Sequence, residues 1–373
     1  MRLTICLTCA AVLAGCSRPG FEGFFSSGER YLAAKKFSDA AIEFQNAARV
    51  NPESALAQIK LGDAYLALSQ TSAAAAAYQR ACTLAPDNVD ACVQAAARFL
   101  AMGDFEPAVI NARTALAADR FSLDAQLILG SALAGVRRFA ESEERLEAAL
   151  AQAPSDPRPY KALGEMQLRR GNVKAAEVWL QKAIERAPSS PSSVEARVEL
   201  ARVMLDTGRG AEGEKELRAA VAADPTDAEA NEMLATYLVA TDRCDDSEQY
   251  WKALAAQTTD GSGTLALADF YVSRGRSDEA LKVLGQSSQD PAAGTRMASI
   301  MYDRGDRPKA AALVDQLLER QQTNVQALLL KARMALDDSD LAKAREFAHR
   351  AAAIQPDAAA VRNMLAATNA ATK

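Results

Sequence analysis

The chain has 373 residues, 49% apolar and 24% charged, with a formal net charge of −5 and a single histidine, His349. That balance of apolar and charged residues describes a folding chain rather than a disordered one, and a mildly acidic surface gives no electrostatic footprint for nucleic acid. One histidine excludes His-rich metal sites, and a lone histidine on a helix surface reads as a solvated residue and not as a ligand or the base of a triad.

Met1 and Arg2 precede an apolar run from Leu3 to Gly15. The run has the length of a secretory h-region and is too short for the roughly 20 residues of a spanning helix. It ends in Leu13-Ala14-Gly15-Cys16, which resembles the bacterial lipobox. The resemblance implies a signal peptide over residues 1–15, an acylated Cys16 as mature N-terminus, and a tether over 16–20. Cys6 and Cys9 would leave with the signal. Ser17 is compatible with sorting to the outer membrane, so the expectation is a lipoprotein anchored in the membrane and facing the periplasm. Four tether residues reach at most ~14 Å, so the folded part is expected to begin close to the bilayer.

From Phe21 the chain repeats itself. Gly28, Tyr31, Ala40, Phe44, Ala47 and Pro52 recur 34 residues later as Gly62, Tyr65, Ala74, Tyr78, Ala81 and Pro86. The register continues through units starting at Val89, Leu123, Pro157, Val194, Ala228, Gly261, Pro291 and Val325. A period of that size marks a stacked array of helix pairs. Pro191-Ser192-Ser193 breaks the register and is expected in the loop before repeat 6. Repeat 8 is short by several residues, with its second helix expected to stop near Leu284-Gly285. About ten repeats fill residues 21–357. The remainder, 358–373, carries Val361, Met364 and Leu365 at helical spacing, either as a capping helix or as a truncated eleventh repeat.

The eighth position of every repeat is Gly or Ala: Gly28, Gly62, Ala96, Gly130, Gly164, Ala201, Ala235, Ala268, Ala298 and Ala332. Two helices crossing closely require a small residue there. Gly103, Gly171, Gly208, Gly275 and Gly305 fall at first-helix ends, as left-handed caps. Pro near the end of a repeat stops the second helix. These residues together resemble the tetratricopeptide repeat (TPR) over Phe21 to about Asp357. The resemblance implies an all-α, right-handed superhelical solenoid.

No phosphate-binding loop, nucleophile elbow or zincin motif occurs, and the carboxylates Glu141, Glu143 and Glu144 read as a solvated helix face. The chain is therefore expected to be non-enzymatic, without metal or cofactor. Trp179 and Trp251 fall on second helices and are expected to pack between repeats. Cys82 and Cys92 end one helix and begin the next; in an oxidising periplasm they could bridge, but the favoured reading is two small buried thiols, since a bridge needs Cα atoms within ~7 Å.

The TPR resemblance implies that first helices line a concave face whose positions 2, 5, 9, 12 and 13 meet a protein partner. Carried over, these are Phe25, Glu29, Leu32, Ile59, Asp63, Leu66, Val93, Leu100 and Leu127 in repeats 1 to 4. In repeats 5 and 6 they are Arg158, Lys161, Glu165, Arg169, Val198 and Arg202. The expected face is apolar with acids first, then basic. Phe25 and Glu29 stand where a carboxylate clamp has Lys and Asn, which argues against capture of a C-terminal carboxylate. The stretch from Phe24 to Leu66, close behind the lipobox, is similar to TPR lipoproteins of exopolysaccharide export and exosortase systems. The function implied is a membrane-anchored scaffold for protein partners, with no nucleic acid. The alternatives are a glycan-handling protein that guides nascent polysaccharide, or a regulatory subunit of a polymer synthase or hydrolase.

Overall fold

The computed structural model describes residues 20–258, 261–287 and 290–370; the signal peptide and Cys16 lie outside them. Among the described residues there are helices and no strands. They fall into two compact units, 1–196 and 197–373.

The first unit holds five helical hairpins. They are α1 (Phe21–Ala33) with α2 (Phe37–Val50), α3 (Ala55–Ala67) with α4 (Thr71–Leu84), α5 (Val89–Ala101) with α6 (Phe105–Ala118), α7 (Leu123–Gly135) with α8 (Phe139–Gln152), and α9 (Pro157–Arg170) with α10 (Val173–Arg186). Helix α11 (Pro191–Asp206) runs across the boundary. The second unit continues with α12 (Gly210–Ala223), α13 (Ala228–Ala240) with α14 (Cys244–Gln257), α15 (Ser262–Ser273) with α16 (Ser277–Gly285), α17 (Pro291–Asp303) with α18 (Arg307–Arg320), α19 (Val325–Asp337) with α20 (Leu341–Ile354), and α21 (Ala359–Ala370). The hairpin partners from α1–α2 to α9–α10 and from α13–α14 to α19–α20 pack on each other, and first helices also lie side by side, as α3 on α5, α5 on α7 and α17 on α19. This is an α-solenoid of stacked hairpins, as the 34-residue period requires.

The small eighth residue does what the sequence suggests. A Cβ added at Gly28 would lie 2.6 Å from the Phe44 ring, and at Gly62 2.4 Å from the Tyr78 ring. At Gly130 it would lie 2.4 Å from Leu146, and at Gly164 2.8 Å from Leu180. In each hairpin the large residue of the second helix fills the place where the first helix has no side chain.

Every first helix from α1 to α19 ends in the same way. The residue at position 15 has positive φ in all ten repeats, and the N–H after it donates back to a carbonyl one turn inside, as Asp104 to Phe99 at 2.9 Å. Five of these residues are the expected glycines. The other five are Lys35, Ser69, Arg137, Asp242 and Ser339, so the tight turn imposes the left-handed conformation whatever residue occupies it. The next first helix starts on a side-chain cap: Ser54, Asn88, Ser122, Asp156, Asp227, Asp290 and Asn324 each accept from a backbone N–H two or three residues on. These oxygens satisfy donors that a helix start leaves unpaired.

Two expectations are corrected. Pro191-Ser192-Ser193 is helix, not loop: it adds a turn to the start of α11. Ser190 Oγ accepts from Ser193 N–H at 3.2 Å, and Pro191 occupies a first-turn position where its missing N–H costs nothing. Cys82 and Cys92 are not two thiols but a disulfide, with Cα atoms 4.5 Å apart and both side chains buried. The bridge staples α4 to α5, joining repeats 2 and 3. Repeat 8 behaves as expected, with α16 ending at Gly285 after 9 residues where other second helices have 14. Helix α21 packs on α19 and α20 through Val361, Met364 and Leu365. Trp251 of α14 stacks on Phe270 of α15 between repeats, whereas Trp179 lies against Tyr160 of its own hairpin.

Candidate functional site

The first-helix face of repeats 1 to 5 is largely consumed by the fold. Phe25 is 8% exposed and meets Phe44 edge-on at 5.6 Å. Ile59 is 1% exposed and Leu127 9%; both are core residues, not groove residues, because position 5 sits at the contact between neighbouring first helices. Val198 is buried likewise and Val93 is half-buried. Position 12 stays more open: Leu66 is exposed, while Leu32 and Leu100 are half-buried.

The charged members are engaged within the chain. Asp63 accepts from Tyr78 Oη at 2.9 Å and from Arg98 Nε at 2.9 Å. Burial, then Asp63, pushes the Tyr78 phenol well above its ordinary range. Glu29 faces Lys60 at 3.9 Å. Arg158 pairs with Asp124 and Asp156, both at 2.7 Å. Lys161 lies 2.9 Å from Glu165 and 2.5 Å from Glu195. Burial alone would pull the Lys161 amine down, but the two carboxylates outweigh it and hold it above the usual lysine range. Arg202, in the second unit, pairs with Glu199 and Glu229. Arg169 stacks over the Phe105 ring at 5.2 Å. Lys161 and Arg202 are thus neutralised by acids on the following first helix and one turn away on their own, Arg158 by acids on the preceding first helix and at its own N-cap, and Arg169 is held by a ring. Glu141, Glu143 and Glu144 are not simply solvated: they pair with Arg113 and Arg138, with Arg170, and with Arg145.

An open groove exists elsewhere, within the second unit. A cavity of about 860 Å³ runs along α15, α17, α19 and α21. Its apolar lining includes Leu265, Ala292, Leu329, Leu330 and Met364, with Thr295, Ser299 and Gln326 as hydrogen-bonding groups. The two arginines at its wall are already paired, Arg296 with Asp269 at 2.6 Å and Arg333 with Asp303 at 2.8 Å. The groove therefore presents mainly apolar and uncharged polar contacts, with the carboxylate of Asp290, the N-cap of α17, also in its lining. Leu265, Ala292, Thr295, Ser299, Gln326 and Leu329 occupy positions 2, 5 and 9 of repeats 8 to 10, where the positional rule used for repeats 1 to 6 finds them; Arg296 and Leu330 at position 6, and Met364 of α21, lie outside that rule. A second pocket of about 450 Å³ lies on α13 beside the α11–α12 turn, lined by Leu205, Met233, Thr236 and Tyr237.

Comparison with known proteins agrees with this architecture. A family model described as tetratricopeptide repeat matches residues 25–89, 131–191 and 295–359, and a second of the same description matches 194–238. No curated protein matches the chain. Among solved structures the chain is similar to yeast Tom70, at 14% identity over 94% of this chain and 88% of that one, with a TM-score of 0.46. It is also similar to PilW, a type IV pilus biogenesis factor (18%, 57% and 98%, TM-score 0.44), and to PilF of Pseudomonas aeruginosa (22%, 57% and 97%, TM-score 0.39).

Proposed function

We propose, for a chain that belongs to the tetratricopeptide repeat family, that it is a non-enzymatic scaffold holding an extended segment of a protein partner in the groove of repeats 8 to 10. The observation that carries this reading is the cavity of about 860 Å³ on the first helices, whose two arginines are paired within the chain. Such a groove favours a segment with apolar side chains and no acids: the half-buried Leu265 and Met364 exclude water, while Ser299 and Gln326 offer bonds to a peptide backbone. An acidic segment would be desolvated there without a free counter-charge, since both arginines are already paired.

The test fills the groove without touching the core. Ala292 and Gln326 are exposed and Ser299 is half-buried. A photo-crosslinker at position 299, used in intact cells, identifies the partner. Ala292→Trp with Ser299→Trp is then expected to abolish partner binding at unchanged helicity, and Ile110→Trp on α6 to leave it intact. Undiminished binding by the double variant would remove the groove from the mechanism.

The same proposal places the scaffold on a membrane through an acylated Cys16, facing the periplasm, most simply at the outer membrane and in the service of exopolysaccharide export. Its supports are the lipobox-like Leu13-Ala14-Gly15-Cys16 and the Cys82–Cys92 bond, which suits an oxidising compartment. Cys16→Ser is expected to leave unprocessed precursor. Palmitate labelling that persists in that variant would sink the anchor.

A further inference from the structure

We propose that the first unit lies on a lipid bilayer along the edge formed by the loops between its repeats. The inference rests on the reading of Cys16 as the anchored residue. Stacked antiparallel hairpins put the start of every first helix and the end of every second helix on one edge. The start of α1 belongs to that edge, and only residues 17–20 separate it from Cys16, a reach of at most ~14 Å.

The same edge carries three exposed apolar side chains. Val50 is the last residue of α2 and Leu56 the second of α3, and Phe121 stands in the α6–α7 loop. Phe121 is 61% exposed, the most open large apolar residue among those described. The corresponding loop residue is Glu53, Asp87, Ser155, Thr226 or Thr323 in other repeats, so an exposed ring there is a departure from the rule of the array.

Its loop is also held firmly. Phe121 N–H donates to Asp119 Oδ1 at 2.9 Å, and Gln152 Nε2 donates to the Phe121 carbonyl at 2.7 Å. Gln126 Nε2 donates to the Arg120 carbonyl at 3.1 Å, and the Arg120 guanidinium covers one ring face at 4.6 Å. The ring is thus presented outward at little further ordering cost, as an interfacial contact requires. A bilayer fits the edge better than a partner protein, because the anchor brings membrane to it at high effective concentration. The exposed acids Glu53, Asp87 and Asp119 make this an apolar contact with zwitterionic lipid, opposed by anionic lipid.

The test uses the full-length, lipidated protein in phosphatidylcholine vesicles. Flotation of wild type against Cys16→Ser reports the anchor. Quenching by brominated phosphatidylcholine reports the edge, with Phe121→Trp compared with the wild-type background of Trp179 and Trp251. Phe121→Trp is expected to show blue-shifted emission and strong quenching, and Val178→Trp on the outer face of α10 neither. Flotation without quenching at position 121 overturns the edge contact and leaves the anchor standing. Equal flotation of wild type and Cys16→Ser overturns the anchor and the inference with it. Stronger quenching in phosphatidylglycerol vesicles, or crosslinking from position 121 in cells to a polypeptide instead of lipid, also overturns it.

Discussion

Breaking the Cys82–Cys92 bond is expected to loosen one joint of the array and leave the rest alone. The two cysteines are 10 residues apart in sequence. Closing a loop of about eleven residues removes on the order of 9 cal/mol/K of chain entropy from the unfolded state, which is about 2.7 kcal/mol at 25 °C. Because repeats couple only to their neighbours, the loss belongs to α4 and α5 and does not spread evenly. A single melting temperature is a poor measure of a long repeat array. The assay is hydrogen exchange on oxidised wild type, reduced wild type, and Cys82→Ala with Cys92→Ala. Amides of α4 and α5 are expected to exchange about 100-fold faster in the last two, the ratio that ~2.7 kcal/mol implies. The alanine pair also tests packing, since both sulfurs are buried; any excess over reduced wild type measures the void. Equal protection in all three samples would refute the entropic reasoning. Equal loss in α4 and in α19 would refute the nearest-neighbour reasoning.

Three further outcomes follow from particular contacts. Gly62→Ala sets a methyl 2.4 Å from a Tyr78 ring whose hydroxyl is tied to Asp63, so it is expected to cost about 1–3 kcal/mol in urea unfolding; no measurable loss would mean the hairpin reopens freely. Ser339→Gly and Lys35→Gly relieve left-handed backbone and are each expected to add about 1 kcal/mol, with Gly305→Ala losing a similar amount; a loss on introducing glycine would show that the native side chain outweighs the strain. Glu248 accepts from Arg276, Lys252 and Tyr271, which hold its carboxyl down at about 2 against an ordinary 4.5. Because the folded pKa is the lower one, its contribution is present above 4.5 and lost as pH falls toward 2. Glu248→Gln is expected to flatten the acid sensitivity of α14–α16 exchange in that window.

The architecture was legible because sterics wrote it at fixed intervals. A glycine opposite Phe44 or Tyr78 has no substitute, so the eighth position could be followed through ten repeats. The five glycine caps were legible for the same reason. Lys35, Ser69, Arg137, Asp242 and Ser339 adopt the same conformation with no residue signal, because turn length alone dictates it. The three-residue insertion read as loop by its Pro and serines, yet Pro is at home in a first helical turn. The disulfide stayed the less favoured of two readings because a spacing of 10 residues says nothing about Cα separation. The expected groove went wrong at position 5, where the family pattern describes a face but the neighbouring helix decides burial. Its charges were misread because their partners, such as Asp63 with Arg98 or Arg158 with Asp124, lie more than 30 residues apart.

Side-chain size and pairing at the same helix positions decide whether this face locks the array or leaves a groove. In repeats 1 to 5, positions 5 and 9 carry Phe25, Ile59, Asp63 and Lys161, which fill the face or tie adjacent helices together. In repeats 9 and 10, positions 2 and 9 include Ala292, Ser299 and Gln326, and the face retains its volume. Consecutive first helices are still tied there, Arg296 of α17 to Asp269 of α15 and Arg333 of α19 to Asp303 of α17. Further ties sit at the starts of second helices, where Arg243 reaches Glu214 and Arg276 reaches Glu248, each at 2.6 Å from one repeat to the preceding one. Partly exposed pairs of this kind contribute little energy individually, but each is satisfied in only one register of neighbouring hairpins. Register can therefore be kept by these pairs while the apolar and uncharged polar lining between them exchanges water for a peptide.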